Sequence, residues 1–238
     1  MTFFALVHGG AHGGWCWEDL VPELEKLGHQ CSAPDLPLDD PHGASDWADT
    51  VVASIPSDAT DVVVVAHSLG GLCLPVVASR RPVRRMVFLC AMVPVPGRPY
   101  LEVLAEEPDA VKAMDLGEEI SEAVSAAETG DVLDVMPFER AVAMFYGDLP
   151  EAKARAAWER LRGQGFTSFT EPCPIATWPD VPSTYILTTE DGSVSTDWSR
   201  RVARGRLGAD LIELAGSHSP FYSRPAELAA VLDSLAPG

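Results

Sequence analysis

Ser68 stands where the chain could present a nucleophile. It lies in the segment Ala66–Gly71 (AHSLGG), which follows a run of four valines and precedes a helical pattern. A serine on a sharp turn between strand and helix has its hydroxyl lifted above the sheet edge, and small flanking residues leave room for neighbouring backbone. The following helix directs its partly positive N-terminus at the same place, where an oxyanion would develop. This context predicts a nucleophilic Ser68 rather than an ordinary helix cap.

A serine hydroxyl becomes a nucleophile only when a base takes its proton, and the chain has six histidines. His218 lies in a loop directly after the last predicted strand, where the loop would overhang the carboxyl edge of the sheet. His218 is therefore the predicted base. The side chain of His67 is expected to point away from the site. The other histidines are expected to serve loop structure or the surface: His8, His12, His29 and His42.

The base in turn needs a carboxylate to orient it. The loop after the fourth predicted strand, residues 91–99, contains no acidic residue, whereas the loop after the fifth begins with Thr189–Gly192 (TEDG). Asp191, which precedes a glycine, is the predicted orienting acid, and Glu190 remains the alternative. The order of serine, aspartate and histidine along the chain is one in which such triads occur.

Backbone N–H groups commonly stabilise the oxyanion of a tetrahedral intermediate. We expect one donor at Leu69, directly after the nucleophile, and the other at Gly10 in the glycine-rich segment His8–Trp15. Four glycines in this segment could instead bind a phosphate. However, neither the G-x-G-x-x-G pattern nor a Walker lysine is present, so nucleotide binding is not predicted.

A sheet must position these residues, because strand-like runs alternate with helical patterns over the first 90 residues and again from residue 184. This alternation predicts an α/β fold: about six mostly parallel strands with helices on both faces. The predicted strands cover residues 3–7, 30–33, 61–66, 85–90, 184–188 and 210–214.

The alternation is interrupted after the fourth strand. Residues 97–178 lack a strongly β-branched run and show helical stretches at 118–128, 138–146 and 151–162. We expect residues 1–96 and 179–238 to form the core, and 97–178 to form a helical lid (cap) over the carboxyl edge of the sheet. Several side chains of this lid could line a pocket or pack the lid on the core: Met114, Met136, Phe138, Met144, Phe145, Tyr146 and Trp158.

Composition excludes several classes of protein. The 238 residues suit one domain, and the formal net charge of −18 argues against nucleic acid and anionic membrane surfaces as partners. No apolar run approaches the roughly 20 residues of a membrane-spanning helix. Five widely spaced cysteines form no C-x-x-C pair, which favours reduced thiols over disulfides or a zinc site. We expect a cytoplasmic protein without metal or cofactor.

Four segments together resemble the α/β-hydrolase superfamily, and within it the branch of plant methyl esterases and hydroxynitrile lyases with their bacterial esterase relatives. They are Val7–Trp15 (VHGGAHGGW), Ala66–Gly71 (AHSLGG), Thr189–Asp191 (TED) and Gly216–His218 (GSH). The resemblance extends over nearly the whole chain and implies the α/β-hydrolase fold and a serine hydrolase acting on esters. It assigns the triad to Ser68, Asp191 and His218, and the oxyanion donors to Gly10 and Leu69.

Departures from this branch narrow the expected activity. Hydroxynitrile lyases of this type have a lysine directly after the catalytic histidine and a threonine after the histidine of the first loop, where this chain has Ser219 and Gly9. Lyase activity is therefore disfavoured, and Gly9 and Ser219 join Met144, Phe145 and Tyr146 as candidate substrate-binding residues. Cofactor-free dioxygenase chemistry and binding of a small ligand without catalysis stay open as alternatives. We expect a small, largely hydrophobic ester or lactone as substrate, and a homodimer is possible.

Overall fold

The computed structural model describes residues 1–39, 41–112 and 135–236. Its centre is a six-stranded sheet in which all neighbouring strands are parallel, in the order β2-β1-β3-β4-β5-β6. This confirms the predicted α/β-hydrolase sheet. The strands are β1 (Phe3–Val7), β2 (Gln30–Ser32), β3 (Val62–His67), β4 (Arg85–Leu89), β5 (Ser183–Thr188) and β6 (Asp210–Leu214).

The central strands are buried on both faces, as their continuous apolar runs predict. Every residue of β1 and β3 is buried. Side chains alternate between the faces: Phe4 and Leu6 pack with Trp17 on one side, while Ala5 and Val7 pack with Trp47 on the other. The helices that cover the two faces thereby fix the sheet between two apolar layers.

Helices connect the strands and form the segment between β4 and β5. They are α1 (Leu20–Lys26), α2 (Ala44–Ser54), α3 (Leu74–Arg80), α4 (Tyr100–Glu106), α5 (Phe138–Phe145), α6 (Glu151–Trp158), α7 (Thr167–Thr170), α8 (Thr196–Val202), α9 (Pro220–Ser223) and α10 (Pro225–Ser234). Within the described ranges, no helix has both the length and the apolar character needed to cross a lipid bilayer.

Residues 15–27 and 69–79 each have one continuous helical pattern in the sequence, but the structure divides each stretch into a short 3₁₀ segment and an α-helix. The first divides between Gly14–Trp17 and α1, and the second between Ser68–Leu72 and α3. In both cases a proline, Pro22 or Pro75, stands near the start of the α-helix. Proline has no N–H to donate to the carbonyl four residues earlier, so a continuous helix through either junction is disfavoured.

The strand order brings the two predicted catalytic loops together. From β1 the chain moves to β2 on one side and then returns to β3 on the other side of β1. The loops after β1 and β3 therefore leave the same edge of the sheet at the point where the direction of winding reverses. Open α/β sheets bind their ligands at such a point.

Helices α4 to α7 lie between β4 and β5, in the segment for which the sequence predicts an insertion over residues 97–178 (here called the helical insertion). The predicted ends of this segment are adjacent in the backbone. The Gly97 N–H donates to the Cys173 carbonyl, and the Cys173 N–H donates to the Arg98 carbonyl, each at 3.0 Å. Pro99 and Pro172 form an antiparallel bridge next to them. The predicted helix at 118–128 and the candidate lining residue Met114 lie outside the described residues. The helix predicted at 151–162 ends at Trp158.

Candidate active site

Ser68 occupies a strained turn directly after β3. Its φ of 52° lies in the left-handed region, which non-glycine residues seldom adopt. Neighbouring backbone packs closely around this turn: a Cβ on Gly9 would lie 2.7 Å from the Ser68 Cβ, and one on Gly70 would lie 2.5 Å from the His8 carbonyl oxygen. Small residues at these places let the first loop and the nucleophile turn meet, as the sequence pattern requires.

Asp191 and His218 form a buried hydrogen-bonded pair. The His218 Nδ1 lies 2.9 Å from both Asp191 carboxylate oxygens, and the two residues are 0% and 3% exposed. Asp191 Oδ1 also accepts the N–H groups of Ser193 and Val194, at 2.8 and 2.9 Å. Glu190, the alternative acid, is exposed, and its N–H donates to the Gly216 carbonyl. The carboxylate that meets the imidazole is therefore that of Asp191.

The other nitrogen of His218 is left available. Because Nδ1 donates to the carboxylate, the neutral ring has its lone pair at Nε2. Nε2 is buried and has no hydrogen-bond partner among the described residues, and His218 lines the same cavity as Ser68. The ring of Phe145 stacks on the imidazole, with centroids 5.7 Å apart. An unpaired basic nitrogen on a residue that shares a cavity with a serine hydroxyl is what general-base activation needs.

His67 does not point away from the site, contrary to the expectation from sequence. It lines the cavity, and its Nε2–H donates to the His218 carbonyl at 2.9 Å. The two rings lie 4.5 Å apart. Burial lowers the pKa of His67 well below its usual range, so the ring is neutral and acts as a hydrogen-bond donor. His67 thus ties the loop of the predicted base to the turn of the predicted nucleophile.

The first loop is held by two further neutral imidazoles. His8 donates from Nδ1 to the Gly9 carbonyl at 2.8 Å and accepts the Leu36 N–H at Nε2. Because a trans peptide directs its N–H opposite to its carbonyl, this bond sets the direction of the Gly10 N–H. That N–H meets no acceptor within the described part of the chain.

His12 is the second of these imidazoles. Its Nδ1–H donates to the Gly10 carbonyl at 2.8 Å, and its Nε2 accepts the Tyr146 hydroxyl at 2.8 Å. Burial lowers the pKa of His8 to about 4 and that of His12 to about 3, so both rings are uncharged at neutral pH. Both histidines therefore have a specific place beside the site, which the sequence did not reveal.

A cavity of about 410 Å³ opens onto Ser68 and His218. Of the candidate substrate-binding residues, Met144 and Phe145 line it, whereas Gly9, Tyr146 and Ser219 do not. Tyr146 instead bonds His12, and the Ser219 hydroxyl is buried without a partner among the described residues. The oxyanion candidates Gly10 and Leu69 lie in the cavity wall. The apolar part of the wall is Leu69, Met92, Val111, Val135, Met136, Pro137, Met144, Phe145, Phe166 and Phe169.

Three polar residues of the helical insertion also line the cavity: Arg140, Arg162 and Gln164. They lie roughly 70 to 95 positions after Ser68 in sequence, in stretches without a motif, so nothing local in the sequence singles them out. Arg162 donates to the carbonyls of His12 and Leu36, at 2.9 and 2.8 Å. It therefore connects the insertion to the first loop of the core.

Within the described residues, one group could offer three metal ligands: Cys90, Asp191 and His218, whose ligand atoms lie within 4.8 Å of one another. Asp191 and His218 already use their carboxylate and Nδ1 to bond each other. Burial raises the pKa of the Cys90 thiol well above its usual value, which disfavours the thiolate that binds metals. The closeness of these three residues is better explained by the orientation of the His218 ring by Asp191 than by a metal centre.

Comparison with known sequences places the chain among hydrolases. The sequence model of the alpha/beta hydrolase family matches residues 4–231. A pyrethroid hydrolase of Sphingobium wenxiniae is 27% identical over 99% of this chain and 88% of its own length. Methylesterase 7 of Arabidopsis thaliana is 28% identical over 98% of this chain and 95% of its own.

Comparison with solved structures gives the same fold. An extracellular alpha/beta-hydrolase from a Paenibacillus species superposes with a TM-score of 0.81 and 20% identity, covering 100% of both chains. The agreement covers the full length of the two chains, so the two proteins share one fold.

Proposed function

This chain belongs to the alpha/beta hydrolase family, and from that premise we propose that it hydrolyses esters of small, largely hydrophobic acids through an acyl-serine intermediate. The observation that carries the proposal is the buried pair formed by Asp191 and His218: Nε2 of His218 has no partner among the described residues, and His218 lines the same cavity as Ser68. Related sequences include a pyrethroid hydrolase and plant methylesterases, which supports an ester as the substrate.

In the acylation step, His218 Nε2 takes the hydroxyl proton of Ser68 while Oγ attacks the ester carbonyl carbon. Asp191 keeps the imidazole in the tautomer that leaves Nε2 free and stabilises the imidazolium that forms. The collapse of the tetrahedral intermediate breaks the bond to the alkoxy group, which receives the proton from His218 and leaves as the alcohol.

The oxyanion of that intermediate is stabilised by the N–H groups of Gly10 and Leu69. Both residues lie in the cavity wall, and the Gly10 N–H has no acceptor within the described ranges. Donors that are fixed before the reaction need no reorganisation as charge develops.

In the second half of the reaction, His218 takes a proton from a water molecule, which attacks the acyl carbon. The tetrahedral intermediate then releases the carboxylic acid as its bond to Ser68 Oγ breaks. Oγ takes its proton from His218. No cofactor takes part in either step, and a lactone would follow the same course with its alcohol tethered to the acid.

The size and lining of the cavity support the substrate class. A volume of about 410 Å³ accommodates a small molecule rather than a polymer. We propose that the helical insertion, which contributes Met136, Met144 and Phe145 to the wall, acts as a lid that excludes water from the acyl group. Cyanohydrin cleavage is not favoured, because the residue after His218 is a buried serine outside the cavity wall.

The test compares wild type with Ser68→Ala and with Ser193→Ala, a second serine in the cavity wall. Each protein is incubated with p-nitrophenyl esters of graded chain length, aryl methyl esters, lactones and mandelonitrile. We expect ester turnover by wild type and Ser193→Ala, and a fall of about 10³-fold or more in Ser68→Ala, because the covalent route is lost.

A fluorophosphonate probe provides an independent measurement. It should label wild type and Ser193→Ala but not Ser68→Ala, since the probe reacts with an activated serine. Full ester turnover by Ser68→Ala would refute the proposal, as would Ser68-dependent release of cyanide without ester hydrolysis.

A further inference from the structure

The peptide group between Gly10 and Ala11 is held at both of its ends. Its carbonyl accepts the His12 Nδ1–H at 2.8 Å, and its N–H donates to Gln164 Oε1 at 3.0 Å. Gly10 carries the proposed oxyanion donor, so this peptide plane adjoins the donor directly. Its two partners differ in origin: His12 lies in the first loop, whereas Gln164 belongs to the helical insertion.

Gln164 lies against Gly10 itself. A Cβ at position 10 would overlap the Gln164 carboxamide oxygen, so only glycine lets the amide approach this closely. Because Oε1 accepts the Ala11 N–H, the orientation of the amide is fixed. The side chain thus covers the residue that offers the oxyanion donor while also lining the cavity.

Tyr146, also in the insertion, acts on the same peptide group through His12. Its hydroxyl donates to His12 Nε2 at 2.8 Å, which requires the proton of the neutral ring to be at Nδ1. That proton is the one donated to the Gly10 carbonyl. Tyr146 therefore selects the tautomer that holds the peptide.

The next peptide group is also tied to the insertion. The Arg162 N–H donates to the Ala11 carbonyl at 2.9 Å, and Arg162 Nε donates to the His12 carbonyl at 2.9 Å. Ala11, whose N–H bonds Gln164 and whose carbonyl bonds Arg162, has a φ of 58°. A non-glycine residue in this strained region persists only where its surroundings over-determine it.

We propose that Gln164 and Tyr146 are positioning residues for the oxyanion donor at Gly10, so that the insertion sets the geometry of the oxyanion site in addition to covering the cavity. The inference rests on the proposed esterase function. A loop with four glycines in seven residues has many accessible conformations, and oxyanion stabilisation requires donors about 3 Å from the developing charge. These contacts select one conformation.

The experiment uses Gln164→Met, which has a similar length and no amide, Gln164→Glu, which keeps an acceptor, and Tyr146→Phe, which loses only the hydroxyl. The matched control is Lys153→Ala, which removes an ion pair between the insertion and Asp19, outside the segment 8–15. Thermal unfolding first establishes that each variant is folded.

With a p-nitrophenyl ester, we expect kcat to fall about 10- to 100-fold in Gln164→Met and in Tyr146→Phe, with KM within about threefold. This loss is below the 10²–10³-fold typical of removing a donor outright. The double variant should lose less than the product of the single effects, because both residues hold one peptide group. Lys153→Ala should keep wild-type kcat.

Amide hydrogen exchange of the segment 8–15 provides a readout that does not depend on turnover. Exchange at Ala11 should accelerate in Gln164→Met and remain slow in Gln164→Glu, whose carboxylate still accepts the N–H. If wild type lacks ester turnover but shows this exchange pattern, the proposed function fails, and only the contact by which Gln164 holds the first loop is supported. If wild type hydrolyses esters and the exchange pattern is absent, the positioning inference alone fails.

Three outcomes would overturn the inference. A raised KM with unchanged kcat in Gln164→Met would make Gln164 a substrate contact. Unchanged exchange at Ala11 in that variant would show that the amide does not hold the loop. Equal losses in Lys153→Ala would show a general loosening of the insertion.

Discussion

At the scale of single residues, the Asp191 carboxylate is fixed before any substrate arrives. It accepts the imidazole and two backbone N–H groups, so neither its orientation nor its distance from His218 depends on a ligand. An acid held in this way can specify a tautomer without becoming protonated itself.

The substitution Asp191→Asn tests this assignment. An amide at this position keeps the shape but presents an N–H₂ to the ring, which favours the wrong tautomer. We expect kcat for a p-nitrophenyl ester to fall by up to about 10⁴-fold. Glu190→Gln is the matched control at the exposed neighbouring position and should retain nearly full kcat. The opposite ranking of the two variants would transfer the orienting role to Glu190.

Whether a site residue could be predicted depended on its distance from a strand end. Ser68, Asp191 and His218 each follow a strand of the sheet within a few residues, so a local pattern and the strand order were enough to place them together. Gln164 and Arg162 reach the first loop only because the insertion folds back over about 150 residues of sequence. No rule on the spacing of residues in a sequence predicts a contact between positions this far apart.

At the scale of secondary-structure elements, Gly192 determines how closely helix α5 approaches the loop of the acid. A Cβ at position 192 would overlap the carbonyl oxygen of Ala143 in that helix. Backbone cannot move aside as the end of a flexible side chain can. The backbone of helix α5 and the backbone of the Asp191 loop are therefore in direct contact, with no side chain between them.

The substitution Gly192→Ala should consequently separate the two elements. Overpacking of this kind typically costs about 1–3 kcal/mol of unfolding free energy, and kcat should fall with it because Asp191 is adjacent. The control is Gly205→Ala, where an added Cβ would meet nothing within 4 Å. Urea unfolding measures both variants. A Gly192→Ala protein as stable and as active as wild type would show that the helix can shift freely.

Strands were easier to predict than helix boundaries. The valine run of β3 and the apolar run of β4 were recognisable because buried parallel strands have continuous apolar sequence. The helical stretches around Pro22 and Pro75 have a continuous apolar pattern. Each α-helix nevertheless begins only one or two residues before the proline, because a residue that lacks an N–H is tolerated only in the first turn. The periodicity of apolar residues does not show where a proline lacks the N–H needed for a helical hydrogen bond.

At the scale of the whole molecule, three buried neutral histidines make stability dependent on pH. Folding lowers the pKa of His8 to about 4 and of His12 to about 3, and it lowers that of His67 well below its usual range. An unfolded histidine has a pKa near 6.5. Above this pH both states are neutral. Below it, the unfolded chain binds more protons than the folded one, so acid favours unfolding.

We therefore expect the free energy of unfolding to decrease as the pH falls from about 6.5 to about 4, with each unit of lowered pKa corresponding to about 1.4 kcal/mol. Urea unfolding at a series of pH values measures the slope. His67→Gln, whose amide can still donate to the His218 carbonyl, should show a shallower slope. A wild-type slope of zero between pH 6.5 and 5 would contradict the buried neutral state.

The paired ends of the insertion have a consequence for how this molecule could diversify. Because residues 97–99 and 172–173 are already joined by backbone hydrogen bonds, the two ends of the insertion lie at one fixed place on the core, whatever the length of the chain between them. The entropic cost of closing a loop rises only slowly with its length. Insertions of different length could be exchanged at this place while Ser68, Asp191 and His218 keep their positions after strands β3, β5 and β6. Any replacement insertion would, however, also have to make contacts that hold the first loop in its conformation.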